Sequence, residues 1–358
     1  MHASTFIIYG AYGFTGQLVA ELAVSKGLQP ILAGRDEAKT KALAEKLNLP
    51  WEAFSLDDSN TLNRLLKSAD VLLNCAGPYS ATAKPAMIGC LKNNCHYIDI
   101  TGEMEVFEYA ASLNAAAQEA GIVIIPGCGF DVVPTDCLAT FLHAHMPDAT
   151  HLELAFKGAG SLSRGTALTV VENIHKGGMI RENGELKAVP TAWKTRKIDY
   201  GKGPRISMSI PWGDVSTAYY STGIPNIIVY TGVAPKAIRF AKLSRYITGI
   251  LKSNWVQKKL QEYVRKNIKG PTEELREKTQ SFVWGEVRNA GGKILHASLT
   301  TPEAYKLTAI TALMATEKVL KNAPEAGFKT PSLAFGPDFI LEVEGVSRYL
   351  HKELIENE

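Results

Sequence analysis

Three glycines, Gly10, Gly13 and Gly16, stand at G-x-x-G-x-x-G spacing in Tyr9-Gly10-Ala11-Tyr12-Gly13-Phe14-Thr15-Gly16. A short apolar run, Phe6-Ile7-Ile8, precedes them, and a stretch with helical spacing at Leu18, Val19 and Leu22 follows. The chemistry that suits this arrangement is phosphate binding. Glycines let the backbone turn tightly and approach a pyrophosphate, whose charge is held by the amides around Tyr12, Phe14 and Thr15 at the helix start. The spacing is one residue longer than in G-x-G-x-x-G, so the same glycines also fit a plain turn between strand and helix.

Other residues extend the pattern toward a dinucleotide. A second apolar run, Gln29-Pro30-Ile31-Leu32-Ala33-Gly34, ends in Arg35, where an NAD-binding sheet carries an acid for the ribose 2′-hydroxyl. A guanidinium fork suits a 2′-phosphate instead. Asp36 is the rival that would favour NAD, but its place at a helix start suits capping better. NADP is therefore expected over NAD. Asp57 closes a third apolar run, where a short acid accepts a bond from an adenine amino group or caps the next helix. Ala76, Gly77 and Pro78 form the loop expected to border the nicotinamide ribose.

Hydride transfer needs a positioned acceptor and often a proton donor. Tyr79, beside Gly77 and Pro78, offers a phenol there, as the donor or as a ring packed on the cofactor. Asp131, in Gly127-Cys128-Gly129-Phe130-Asp131, can orient the carboxamide or the substrate, or brace its own loop through backbone amides. Glu103 and His175 are further titratable candidates. Ser163 or Arg164, at a helix start in Ser161-Leu162-Ser163-Arg164-Gly165-Thr166, can hold a substrate oxygen or serve as a cap. Cys75 and Cys128 flank the same loops with no base nearby in sequence. The five cysteines have no zinc spacing, so no metal is expected.

These loops need a frame, and the patterning supplies one. Strand patterns at 6–9, 29–35, 51–56, 71–75, 96–100 and 122–125 alternate with helical ones ending near Leu47, over 59–68 and 83–93, and reaching Ala120. Six strands with intervening helices predict an α/β fold, a Rossmann-type doubly wound parallel sheet. Ligands in such sheets bind outside the carboxyl ends of the strands, which gathers the loops above into one crevice. Shorter alternating strands at 151–156, 205–210 and 227–230 predict a second α+β domain with a mixed sheet. The expected division is a nucleotide-binding domain over 1–150, a second domain over 151–300, and a helical segment over 301–358. Pro302 fits the first turn of its helix.

Residues 236–269 hold ten Lys or Arg against one acid, Glu262. At 100° per residue Phe240, Leu243, Ile247, Ile250 and Leu251 fall on one stripe, with Arg239, Lys242, Arg245 and Lys252 opposite. Such a helix lies on an anionic membrane surface or packs as an ordinary solvated face. The composition, 46% hydrophobic and 21% charged with net charge +3 over 358 residues, is ordinary and globular. No stretch mixes basic and aromatic residues as a nucleic-acid reader would, and no nucleic-acid partner is expected. No apolar run reaches the ~18 residues that span a bilayer. Met1 to Thr5 runs directly into the first strand, leaving no room for a signal peptide. With reduced thiols, the expected location is cytoplasmic.

The motifs Tyr9 to Gly16, Ala33-Gly34-Arg35, Asn74-Cys75-Ala76-Gly77-Pro78-Tyr79, Tyr97 to Glu103, and Gly129-Phe130-Asp131-Val132-Val133-Pro134-Thr135-Asp136 together resemble the saccharopine dehydrogenase-like oxidoreductases. Ile210 to Pro225 and the Tyr305-x-x-Thr308-Ala309 stretch resemble the family's later signatures. The branch that includes the trans-acting enoyl reductases is the nearer one. The saccharopine dehydrogenases of lysine metabolism are remoter, because the arginines for an amino-acid carboxylate have no counterpart here. The family usually has Thr where Tyr12 stands, a change that leaves backbone phosphate binding intact. The resemblance implies NAD(P) binding by the first domain, a second domain over 151–300 supplying the substrate side and a homodimer interface, and a segment over 301–358 returning toward the first domain. The expected function is NADP-dependent hydride transfer to or from a C=C, C=O or C=N bond of a small or acyl substrate. The alternative is a nucleotide-binding redox sensor or scaffold without turnover. The intact loops after the fourth and sixth strands favour the enzyme.

Overall fold

A computed structural model of the chain describes residues 5–158, 163–201, 203–268, 270–351 and 354–355. Ser161 and Leu162 of the expected substrate loop, and Lys269 of the basic segment, lie outside the described residues. The chain divides into two compact units, Met1–Val133 with Tyr305–Phe339, and Pro134–Ala304 with Ile340–Glu358.

The first unit is built on β1 (Phe6–Tyr9), β2 (Ile31–Gly34), β3 (Trp51–Ala53), β4 (Val71–Asn74), β5 (His96–Asp99) and β6 (Val123–Ile125). All pair in parallel, and the strand Gly327–Phe328 adds beside β6, giving the order Gly327–Phe328, β6, β5, β4, β1, β2, β3. Strands covered on both faces read as unbroken apolar runs, which is why β1 and β4 are buried at every position. The order reverses between β1 and β4, and that switch point opens a crevice at the strands' carboxyl ends. The fold class is thus the expected doubly wound sheet.

Helices α1 (Phe14–Ser25), α2 (Glu37–Leu47), α3 (Ser59–Leu66) and α4 (Tyr79–Asn93) follow the first four strands. Asp36 caps α2, accepting from the Lys39 amide at 3.1 Å, and Asn48 ends it in the left-handed region. Three local expectations change. Helix α4 begins at Tyr79 rather than near residue 83, because Glu103 reaches across from the loop after β5 and accepts from the Tyr79 and Ser80 amides at 2.9 and 2.8 Å. The long helix expected up to Ala120 is two, Met104–Ser112 and Asn114–Glu119, broken at Leu113. Pro302 ends a strand, and the helix after it runs Ala304–Lys321.

The second unit carries a mixed ten-stranded sheet whose main path runs Thr195–Asp199, Pro204–Ser209, Asn226–Gly232, Ala149–Lys157, Gln280–Asn289, Lys293–Pro302 and Ser347–Leu350. Asn226–Gly232 and Ala149–Lys157 pair in parallel, and the other neighbours on this path pair antiparallel. Arg196 on its face bonds Glu286 through both guanidinium ends, at 2.9 and 2.7 Å, bonds Glu153 as well, and lies 4.8 Å over the Trp284 ring.

Candidate functional site

The glycine turn has the geometry a phosphate site needs, and each glycine has its own reason. Gly10 takes φ +78°, and a Cβ there would stand 2.8 Å from the Ala76 backbone. A Cβ on Gly16 would stand 2.3 Å from the Gly10 carbonyl oxygen. Helix α1 therefore starts hard against the turn. Its N-cap is Gly13, which brings no side chain to the helix start, so a ligand's oxygens can approach the backbone there. This cradle, which side chains would fill, fits a dinucleotide pyrophosphate.

At the end of β2, the Arg35 guanidinium is exposed and makes no hydrogen bond or ion pair among the described residues. Asp36 is occupied: one carboxylate oxygen takes the Lys39 amide, and the other takes Lys39 Nζ at 2.5 Å. That bond to Lys39 holds its carboxyl below the usual range. The ring of Tyr12 covers Gly34, where a Cβ would come within 2.5 Å of it, and Lys39 Nζ lies 5.6 Å from the ring centroid. Lys39 is thus a second cation beside Arg35, one that no local motif singles out. Asp57 is not the cap of α3. Asp58 is, accepting from the Asn60 and Thr61 amides at 3.2 Å each. Asp57 stays exposed beside the Ser55 hydroxyl, which donates to it at 3.1 Å.

The loops after β4, β5 and β6 are tied by a buried polar network. Asn74 donates to the Tyr97 hydroxyl at 3.2 Å and accepts from the Ala76 amide at 3.0 Å. Tyr97 in turn donates to Asp99 at 2.7 Å. The other Asp99 oxygen accepts from the Thr101 and Gly127 amides at 2.9 and 2.8 Å. Burial pushes the Asp99 carboxyl up to about 6 despite these donors. Helix Ala304–Lys321 fixes the loop after β6 from the other side: Thr308 accepts from the Phe130 amide at 3.0 Å, and Thr311 donates to the Cys128 carbonyl at 2.9 Å. Tyr305 on the same helix stacks edge-on against Phe14, centroids 5.1 Å apart. Sequence reasoning assigned no role to Asn74, Tyr97, Asp99 or Thr311. The signal available was polar residues at the ends of buried strands, which must find partners.

Tyr79 and Asp131 come together in this frame. Burial raises the Tyr79 phenol well above its ordinary value, and Cys75, Asp99, Glu103 and Asp131 add to the shift by their proximity. The phenol is therefore protonated at neutral pH. Asp131 is partly buried over Gly102, where a Cβ would meet its Oδ2 at 2.7 Å. Burial pushes its carboxyl up to about 7. Glu103 spends both oxygens on the start of α4. Cys75 is pushed up to about 12 by burial with Asp99 nearby, so it is no thiolate at neutral pH, and Cys128 is buried. In the second unit, Ser163 caps Arg164–Asn173, and Arg164 donates to the Ile268 carbonyl at 3.3 Å. His175 stands just past that helix with Nδ1 buried and unbonded.

The Asp131 shift has a consequence for stability. The native carboxyl keeps its proton up to about 7, whereas the unfolded one releases it near 3.8. Between those values the native state binds more protons, so stability falls as pH rises. Asp131→Asn removes that penalty and should stabilise the protein at pH 8 by about 1–3 kcal/mol, discounted for the group's partial exposure. The gain should shrink as pH falls and vanish near the unfolded value. Thermal melts of both proteins across this range check it; a variant less stable at pH 8 would mean the carboxylate is held by compensating partners.

A parallel sheet with a glycine turn after its first strand, and converging loops after the fourth to sixth, defines a Rossmann-type fold suited to a dinucleotide. The family described as saccharopine dehydrogenase NADP binding domain matches residues 6–125. The human saccharopine dehydrogenase-like oxidoreductase is 32% identical over 150 residues, covering 36% of this chain and 35% of that protein. The lipid droplet localized protein of Caenorhabditis elegans is 28% identical over 41% of this chain and 38% of its own. A provisionally named trans-acting enoyl reductase of Mycobacterium tuberculosis is 30% identical over 46% of this chain and 43% of its own. The chain thus spans less than half the length of the curated relatives it matches. Apo saccharopine dehydrogenase (L-Glu forming) from Saccharomyces cerevisiae superposes with TM-score 0.67 over 98% of this chain and 100% of that one, at 12% identity, a likeness of fold alone. Over residues 6–125 the chain matches the saccharopine dehydrogenase NADP binding domain family, and 36% of it is similar to saccharopine dehydrogenase-like oxidoreductases.

Proposed function

We propose that the chain is an NADP-dependent oxidoreductase acting on a C=C, C=O or C=N bond of a small or acyl substrate. One observation carries this reading: the loop after β4 leans on the glycine turn, Ala76 against Gly10. Tyr79, three residues further, therefore borders the crevice that suits the dinucleotide. When bound, the nicotinamide would supply or accept the hydride. Tyr79, protonated at neutral pH, can deliver a proton from its hydroxyl to the atom that gains charge. Asp131, titrating near neutrality, can exchange that proton or orient the substrate. The glycine turn Gly10–Gly16, with Tyr12, Phe14 and Thr15, would hold the pyrophosphate, Arg35 the 2′-phosphate, and Asp57 the adenine amino group. Asp36, taken up by Lys39, is poorly disposed to a ribose 2′-hydroxyl, which supports NADP over NAD.

The name of the mycobacterial relative supports an acyl substrate, and that of the nematode relative a lipid-associated one. Among the described residues no helix is long and apolar enough to cross a membrane. Five free, buried cysteines suit a reducing compartment, the cytoplasm on this reading. A homodimer formed through the second unit completes it. The experiment is label transfer: the protein is incubated with NADPH deuterated at nicotinamide C4 and a metabolite extract, and products are read by mass spectrometry. Deuterium appearing in a product is the expected result. Tight NADPH binding with no label transferred, and none from deuterated NADH, would turn the reading to a redox sensor.

A further inference from the structure

The segment after the strand Asn226–Gly232 presents to solvent the residues a soluble helix would bury. It forms Pro235–Ser244, a short 3₁₀ turn Arg245–Ile247, Thr248–Lys252 and Asn254–Asn267. The side chains turned inward are Ile238, Ser244, Leu251 and Val264, the last packed with Ala167 and Val171. The stripe expected from periodicity divides accordingly: Leu251 is buried, whereas Phe240 is 61% exposed, Leu243 69% and Ile250 61%. Tyr246 and Trp255, outside that stripe, are 87% and 70% exposed. Large apolar side chains gathered in one segment at such exposure ask for a partner.

Charge says which one. Residues 236–269 carry ten Lys or Arg against the single acid Glu262, a net +9. Among the described residues no lysine or arginine between Lys236 and Lys266 makes an ion pair. Arg245 alone is engaged, donating to the Thr191 and Ala192 carbonyls at 2.7 and 2.8 Å. Pairing of this face with itself in a second copy would set +9 against +9, which opposes a symmetric contact. An anionic lipid surface meets both halves of the pattern, since its phosphates and carboxylates neutralise the cations while the interface accepts Trp, Tyr, Phe and Leu.

We infer that residues 235–267 dock the protein on an anionic lipid surface, with Phe240, Leu243, Ile250 and Trp255 entering the headgroup layer and the lysines pairing with the lipid charge. This docking is independent of cofactor and turnover. The test is sedimentation of the full chain with vesicles of phosphatidylcholine alone or mixed with phosphatidylserine, at low and physiological salt. Capture by the anionic vesicles, weakened by salt, and little capture by the neutral ones is expected. Phe240→Ser with Trp255→Ser should weaken capture at least about tenfold, because two apolar anchors are lost. Arg239→Glu with Lys242→Glu should weaken it comparably at low salt. All four are exposed positions, and circular dichroism checks that the variants remain folded. No capture at either salt, or capture indifferent to both pairs of substitutions, overturns the inference. So does an oligomer that the same substitutions dissociate in analytical ultracentrifugation while vesicles capture nothing; the face would then be a protein interface.

Discussion

Arg35→Ala should weaken NADPH binding by about 10- to 150-fold, the worth of a charged hydrogen bond of ~1.5–3 kcal/mol, and leave NADH nearly untouched. The expectation comes from a guanidinium that stands exposed at the end of β2 with no hydrogen bond or ion pair among the described residues. Nothing has to be broken for it to meet a 2′-phosphate, and a planar fork pairs with phosphate oxygens better than a point charge does. Lys39 should contribute less, because its ammonium is already shared with Asp36. Calorimetric titration of both cofactors against both proteins reads the result without any substrate. If the wild type prefers NADH, or the substitution weakens both cofactors alike, Arg35 is not the 2′-phosphate ligand. Asp36 would then have to give up its cap on α2 to hold a ribose, and Asp36→Ala would become the informative variant.

Tyr79→Phe should keep cofactor affinity and lower turnover by roughly 100-fold or more, the usual weight of a positioned general acid. The ring stays, so packing in the loop after β4 is preserved and only the hydroxyl is lost. Because the phenol is held well above its ordinary value, its own titration should leave no mark on the rate below about pH 10, the unperturbed tyrosine value. A limb in the pH–rate profile near neutrality belongs instead to Asp131, and should disappear in Asp131→Asn. Label transfer into the product identified with deuterated NADPH is the assay for both. Turnover of Tyr79→Phe equal to wild type would reduce Tyr79 to a ring lining the crevice.

Much of this was legible in one dimension because it depends on local chemistry. The unbroken apolar runs of β1 and β4, the glycines at 10, 13 and 16, the arginine after Gly34 and the capping position of Asp36 each carry their meaning within a few residues. Periodicity together with turn residues therefore specified a parallel sheet and the loops that share its crevice. What depended on contacts between distant segments was not legible. Glu103 looked like a free acid and is the cap of α4, because it lies 24 residues from the amide of Tyr79 in sequence but 2.9 Å away in space. Asp57 stood as a cap or an adenine ligand until backbone geometry gave the cap to its neighbour Asp58. The stripe from Phe240 to Leu251 fits one straight helix in sequence, but the chain breaks it into three pieces and buries only Leu251 of its members. Helical periodicity locates an apolar face, whereas only tertiary packing decides whether that face meets a core or water. The buried network from Asn74 through Tyr97 to Asp99 is the same lesson at the site. Its residues are polar groups on two strands, β4 and β5, more than twenty residues apart in sequence, and the sheet's register sets them beside one another and beside Tyr79.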